Sequence, residues 1–196
     1  MRSEILGIKC FAAVVMASWA WSSPINAQSL IDDFDSLFER CRLSVETNSV
    51  FESEGLQRRH VAERHARDRG MSSTQEAWMP PASELYVVLT KWVSQDGTTR
   101  HLCDIRLADE EYTLSAVEQA LLLRHFLVTQ VQLIGLGTHE IDKWLSPIPP
   151  VVNAAFLLSD RNPNGCVVSN SFAFSPDGRF FAAGSGEQAV KPCEAE

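Results

Sequence analysis

Cys41, Cys103, Cys166 and Cys193 stand far apart along the chain, and whether they are thiols or cross-links decides how much core the fold must supply by itself. The N-terminal 27 residues bear on that question. Arg2 and Lys9 lead into an uncharged run from Cys10 to Trp21, which Ser22, Ser23 and Pro24 break and Ala27 closes. This is the layout of a secretory signal peptide, and the run is too short to span a bilayer. We expect cleavage after Ala27, with Ser18-Trp19-Ala20 as the competing site, leaving residues 28–196 as one exported domain. In an oxidising compartment an even cysteine count favours two disulfides. None of the four lies in a C-x-x-C, so neither a thioredoxin-like redox site nor a zinc ribbon is implied. The chain has no N-x-S/T sequon, which leans towards a bacterial periplasm.

The formal net charge is −8 over 196 residues, and loss of Arg2, Glu4 and Lys9 with the leader makes it one unit more negative. Nucleic acids and anionic membranes need Lys and Arg to neutralise phosphate, so neither is an expected partner. The one basic cluster is Arg58, Arg59, Arg64, Arg67 and Arg69, interrupted by Glu63 and Asp68, which reads as a solvated helix or loop. After the leader no stretch is apolar for long enough to cross a membrane, and the polar end (EQAVKPCEAE) does not suit a lipid-anchor signal. A soluble exported domain is the expectation.

Periodicity sets out the elements. Leu30, Phe34, Leu37, Cys41 and Val45 form one stripe of a helix over 29–45, with Ser29 and Asp32 as a capping pair. Residues 47–82 are the least core-like and are expected to form a mobile insertion, with a polar helix over 56–69 and a loop around Met71–Gln75 and Pro80-Pro81. Residues 84–107 alternate as a hairpin about Gln95-Asp96-Gly97. Ser115 with Glu118 caps a long helix over 114–136, apolar nearly all round and therefore expected at the centre of the fold. A second hairpin follows around Arg161–Gly165, then a turn at Ser175-Pro-Asp-Gly178 and a last strand. That last stretch is similar to the repeat of β-propellers, but a propeller needs at least four blades and the stretch occurs once. The order implies an α+β domain: an antiparallel sheet of hairpins with helices mainly on one face, in which a helix–strand–strand unit is used twice.

Cys41 projects from the core stripe of the first helix and Cys103 from one face of the first hairpin. A helix packed on that face joins them, so the expected pairs are Cys41–Cys103 and, by elimination, Cys166–Cys193. The catalytic readings are thin. His139-Glu140-Ile-Asp142 gathers three potential metal ligands but is not H-E-x-x-H, and His101 with Asp104 is the other candidate pair. There is no G-x-S-x-G elbow, no S-x-x-K and no phosphate-cradling glycine loop between strand and helix. No cofactor is implied. Trp78, Trp92 and Trp144 with Tyr86 are the residues most suggestive of binding; Tyr86 and Trp92 share a strand face that interfaces favour when exposed. The leading expectation is a non-catalytic exported domain that binds a protein or envelope component through Tyr86, Trp92 or Trp144. A small periplasmic hydrolase, with or without the assistance of a metal, and a structural envelope protein are the alternatives.

Overall fold

In a computed structural model the described residues are 25–60, 73–93, 97–109, 111–141, 152–188 and 193, with no side-chain description for 25, 26, 141 and 152–160. The chain runs α1 (Ile25–Glu46), β1 (Gln57–Arg59), β2 (Ser73–Met79), β3 (Leu85–Val93), β4 (Thr99–Leu107), α2 (Ala116–Gly135), β5 (His139–Ile141), β6 (Val152–Arg161), β7 (Val167–Phe174) and β8 (Phe181–Glu187). All strands join one antiparallel sheet in the order β1-β2-β3-β4-β8-β7-β6-β5. The fold is a single α+β domain. Among the described residues each helix is followed by four strands, twice the two strands expected per unit, and the two meanders meet where β4 pairs with β8.

One sheet face carries Leu85, Val87 and Leu89 from β3, Cys103 and Ile105 from β4, Ala183 from β8 and Phe172 from β7. The period of two puts exactly these alternate residues together, and α1 lies over β3, β4, β7 and β8 to bury them. Leu30, Phe34, Leu37, Phe38, Cys41 and Val45, spaced by three and four, form its buried stripe. Phe34, Phe38, Phe126, Phe172 and Phe181 cluster at 5.2–6.1 Å between ring centroids, mostly edge to face.

The disulfides are Cys41–Cys103 and Cys166–Cys193. Both agree with the pairing argued from the helix stripe and the strand face. The capping box at Ser115 and Glu118 is present, with the Glu118 carboxylate accepting from the Ser115 N–H at 2.7 Å. The Ser175–Gly178 turn docks beside it. Gly178 has φ +73°, and a Cβ there would lie 2.1 Å from the Leu114 carbonyl oxygen, so both backbone conformation and space require glycine.

Three local expectations change. α1 begins at Ile25, so Ser29 and Asp32 lie within the helix and do not cap it. Residues 57–59 are strand, not helix, and β2 begins at Ser73 where a loop was expected. Their polar composition reflects an outer position in the sheet, which half-exposes them. Finally, α1 occupies the centre, while α2 lies beside it over β5, β6 and β7. The remainder of the expected polar helix and of the 47–82 insertion, residues 61–72, lies outside the described residues.

Candidate functional site

The end of α1 is pinned by a partly buried polar network. The Glu46 carboxylate receives a hydrogen bond from Arg42 one helical turn back and lies 2.7 Å from His139 Nε2 on β5. Asn170 Nδ2 donates to the same carboxylate at 3.3 Å, and the buried Ser185 hydroxyl donates to Asn170 Oδ1. His139 Nδ1 contacts the Thr138 hydroxyl at 2.7 Å. Burial opposes the charge on Arg42, but the Glu39 hydrogen bond and the Glu46 and Glu39 charges outweigh it and hold its pKa above the ordinary value. Every hydrogen-bonding nitrogen of His139 is engaged within the protein, and Glu140 is exposed. Asp142 lies outside the described residues, and no group of three potential metal ligands occurs among the described ones. The network reads as a latch joining α1 to β5, β7 and β8.

His101 and Asp104 are three apart on β4 and so project from opposite faces. Asp104 pairs with Arg106 at 2.8 Å. His101 meets a residue that the sequence did not single out, Glu187 at the end of β8. The Glu187 side chain has no solvent exposure; it accepts from Asn162 Nδ2 at 2.7 Å, from Asn164 Nδ2 at 3.3 Å and from the His101 backbone N–H at 2.6 Å. His101 Nδ1 is 3.7 Å from the same carboxylate. No sequence motif ties these positions, because they join through the sheet register.

His101 also opens into a cleft of about 280 Å³ between the end of α1 and strands β2–β4. Trp78, Leu89, Lys91, Ser49 and Phe51 line it with His101. Its outer wall is a held loop. The Arg40 guanidinium donates to the carbonyls of Glu52 and Glu54, both at 2.9 Å, and Phe51 is buried. Asn48, at φ +51°, turns the chain into that loop and donates to Asn164 Oδ1 at 2.8 Å.

The aromatic candidates separate. Arg58 and Arg59 are neighbours on β1 and point to opposite faces, each over a ring: Arg58 lies 5.7 Å from the Trp78 centroid and Arg59 4.4 Å from that of Tyr86. Tyr86 and Trp92 share the face away from α1, as expected, and both are half-buried. On that face Val88 and Arg100 are each 1% exposed, so it is not an open aromatic platform. Trp144 lies outside the described residues. Among the described residues, Trp78 is the one of these rings that lines the cleft.

A different surface is open. Along α2 the residues Val117, Ala120, Arg124, Leu127, Val131 and Ile134 recur at spacings of three and four, offset from the buried Leu122, Phe126 and Leu133. Val117 is 63% exposed, Val128 50% and Val131 67%. A shallow groove of about 490 Å³ runs along this side, lined by Leu123, Leu127, Val128 and Val131 with Arg124 as its one charged group. His125, on the α1 side, pairs with Asp35 at 2.8 Å. No protein-family model, curated protein or solved structure matches this chain.

Proposed function

We propose that this is an exported, non-catalytic binding domain that docks an apolar helix of a protein partner on the outer side of α2. The observation that carries the reading is the exposed Val117–Ile134 seam, a second apolar stripe on a helix whose first stripe is already buried. Contiguous exposed apolar surface of this kind marks interaction sites. The three-and-four spacing suits a helix laid in a groove. Arg124 sits within the seam and has no hydrogen-bond or ion-pair partner among the described residues, which calls for a carboxylate on the incoming helix. A second copy would bring two Arg124 side chains and no acid into one seam. The acidic net charge disfavours an anionic lipid surface. The leader and the two disulfides support export, and no helix among the described residues is long and apolar enough to cross a membrane.

The test places a photo-crosslinking amino acid at Val131, and separately at exposed Lys91, in the protein expressed in its native host. A discrete product from position 131 alone is expected, mapping to a partner segment with apolar residues at three-and-four spacing and an acidic residue. Arg124→Glu should abolish the product, and an acid-to-arginine change in the mapped segment should restore it. Self-crosslinking, lipid adducts alone, or no product from position 131 would overturn the reading.

A further inference from the structure

We infer that the cleft between the α1 end and β2–β4 is a binding site for a small monocarboxylate with an apolar body. Three features build it. Lys91 and His101 are direct cross-strand partners on the helix-covered face, so their side chains leave the sheet side by side. Lys91 is exposed and has no ion-pair partner among the described residues. The second feature is Glu187 behind His101. Its carboxylate has no solvent exposure, and a buried polar group of this kind is kept by hydrogen bonds within the protein. Three N–H donors are in place, and the imidazole is the basic side chain 3.7 Å away. Nδ1 thereby faces Glu187, leaving Nε2 without a protein partner among the described residues and available to a ligand.

The third feature is the division of the lining. Trp78, Phe51 and Leu89 present aromatic and aliphatic surface, while Lys91 and His101 present nitrogen donors. Charge balance then selects the ligand. Glu76 at the rim is 3.6 Å from Arg58, and that pair cancels. Glu187 is enclosed by the protein and its oxygens are taken by Asn162, Asn164 and the His101 backbone N–H, which leaves Lys91 as the charged group that faces the cleft without a partner among the described residues. One carboxylate on the ligand neutralises it, accepting from Nζ of Lys91 beside the His101 ring. A volume of about 280 Å³ lies just under the ~300 Å³ lower bound usual for ligand pockets, which limits the ligand to a small one. The loop carrying Phe51, held by Arg40, makes the site largely preformed. This inference does not depend on the α2 surface, which shares no lining residue with the cleft.

The experiment titrates the oxidised protein with phenylacetate and with octanoate as probes, followed by NMR shifts of the Trp78 indole N–H and the His101 ring. Phenylacetamide and phenethylamine serve as neutral and cationic counterparts. At least one carboxylate should give saturable shifts at both residues, with the amide and the amine at least tenfold weaker. Lys91→Met should weaken the carboxylate at least tenfold while leaving the weak binding of the amide unchanged, and Trp78→Leu should weaken carboxylate and amide alike. Near-UV circular dichroism and intact disulfides establish that the variants are folded. Lack of saturation with both carboxylates, equal binding of acid and amide, or an unchanged carboxylate affinity in Lys91→Met would overturn the inference.

Discussion

Removing the Cys41–Cys103 bridge should be the most damaging small change that leaves the sequence otherwise intact. The bond closes a loop with a sequence separation of 62 and joins the last third of α1 to the centre of the sheet. In the chain-entropy treatment that closure removes about 4 kcal/mol of unfolded-state freedom. Cys166–Cys193, at a separation of 27, comes to about 3.5 kcal/mol. Cys41 and Cys103 are both fully buried, so Cys41→Ala with Cys103→Ala also leaves unfilled space costing ~1 kcal/mol. The sum is a large part of the ~5–15 kcal/mol typical of a domain. The assay is equilibrium urea unfolding of the double variant against the oxidised parent. We expect a loss of about 4–5 kcal/mol, a fall of ~10–20 °C in melting temperature at this chain length, and a larger m-value because the freed unfolded chain exposes more surface. A loss below ~1 kcal/mol, or a greater loss for the Cys166→Ala/Cys193→Ala variant, would refute the reasoning. So would peptide mapping that joins Cys41 to Cys166 or Cys193.

Two further changes probe α2. Gln130 is 2% exposed, and neither amide atom has a hydrogen-bond partner among the described residues; Gln130→Met keeps the volume, removes the unsatisfied polar group and should raise stability by about 1 kcal/mol in urea unfolding, whereas a loss would reveal a bridging water. Ser115→Ala should cost ~1 kcal/mol by removing the cap. Burial of Glu118 raises its pKa, but hydrogen bonds from Ser115 and Tyr112 outweigh it and hold the carboxyl below its ordinary value. Its contribution is therefore present above the ordinary glutamate pKa and is lost as pH falls through the lower folded value. Burial and the bond to Glu118 push the Tyr112 hydroxyl upward, so its contribution is lost as pH rises above the ordinary tyrosine value. Unfolding measured against pH should flatten at the acid end in Ser115→Ala.

Much of the fold was legible because its signals are local. The spacing of Leu30, Phe34, Leu37 and Cys41 fixes the inward side of α1, and alternation fixes which face of β4 carries Cys103; the bridge follows from the two together. The Ser115–Glu118 box and the Ser175–Gly178 turn are set by neighbouring residues and appear where the sequence puts them. β1 and β2 were not legible. Gln57–Arg59 and Ser73–Met79 carry few apolar residues, and what holds them is backbone pairing, of β1 to β2 and of β2 to β3, which side-chain periodicity does not record.

The candidate sites failed to show in the sequence for a related reason. Glu187 and His101 are 86 positions apart and meet through strand pairing, and the Glu46–His139 contact spans 93. His139 looked like a metal ligand among local acids, yet its partner comes from the far end of α1. α2 carries the opposite lesson. Apolar residues around most of its circumference suggest a central helix, because hydrophobicity records the need for burial and not which molecule supplies it. The fold gives that central place to α1 and satisfies α2 on one side only, through Leu122, Phe126 and Leu133. Val128 and Val131 remain in water at 50% and 67% exposure. At about 25 cal/mol per Å² of apolar surface, covering such a seam favours association with whatever fits it. The two-sided apolar pattern of α2 thus combines one interface formed in folding with a second stripe left exposed, the surface on which the proposed partner would dock.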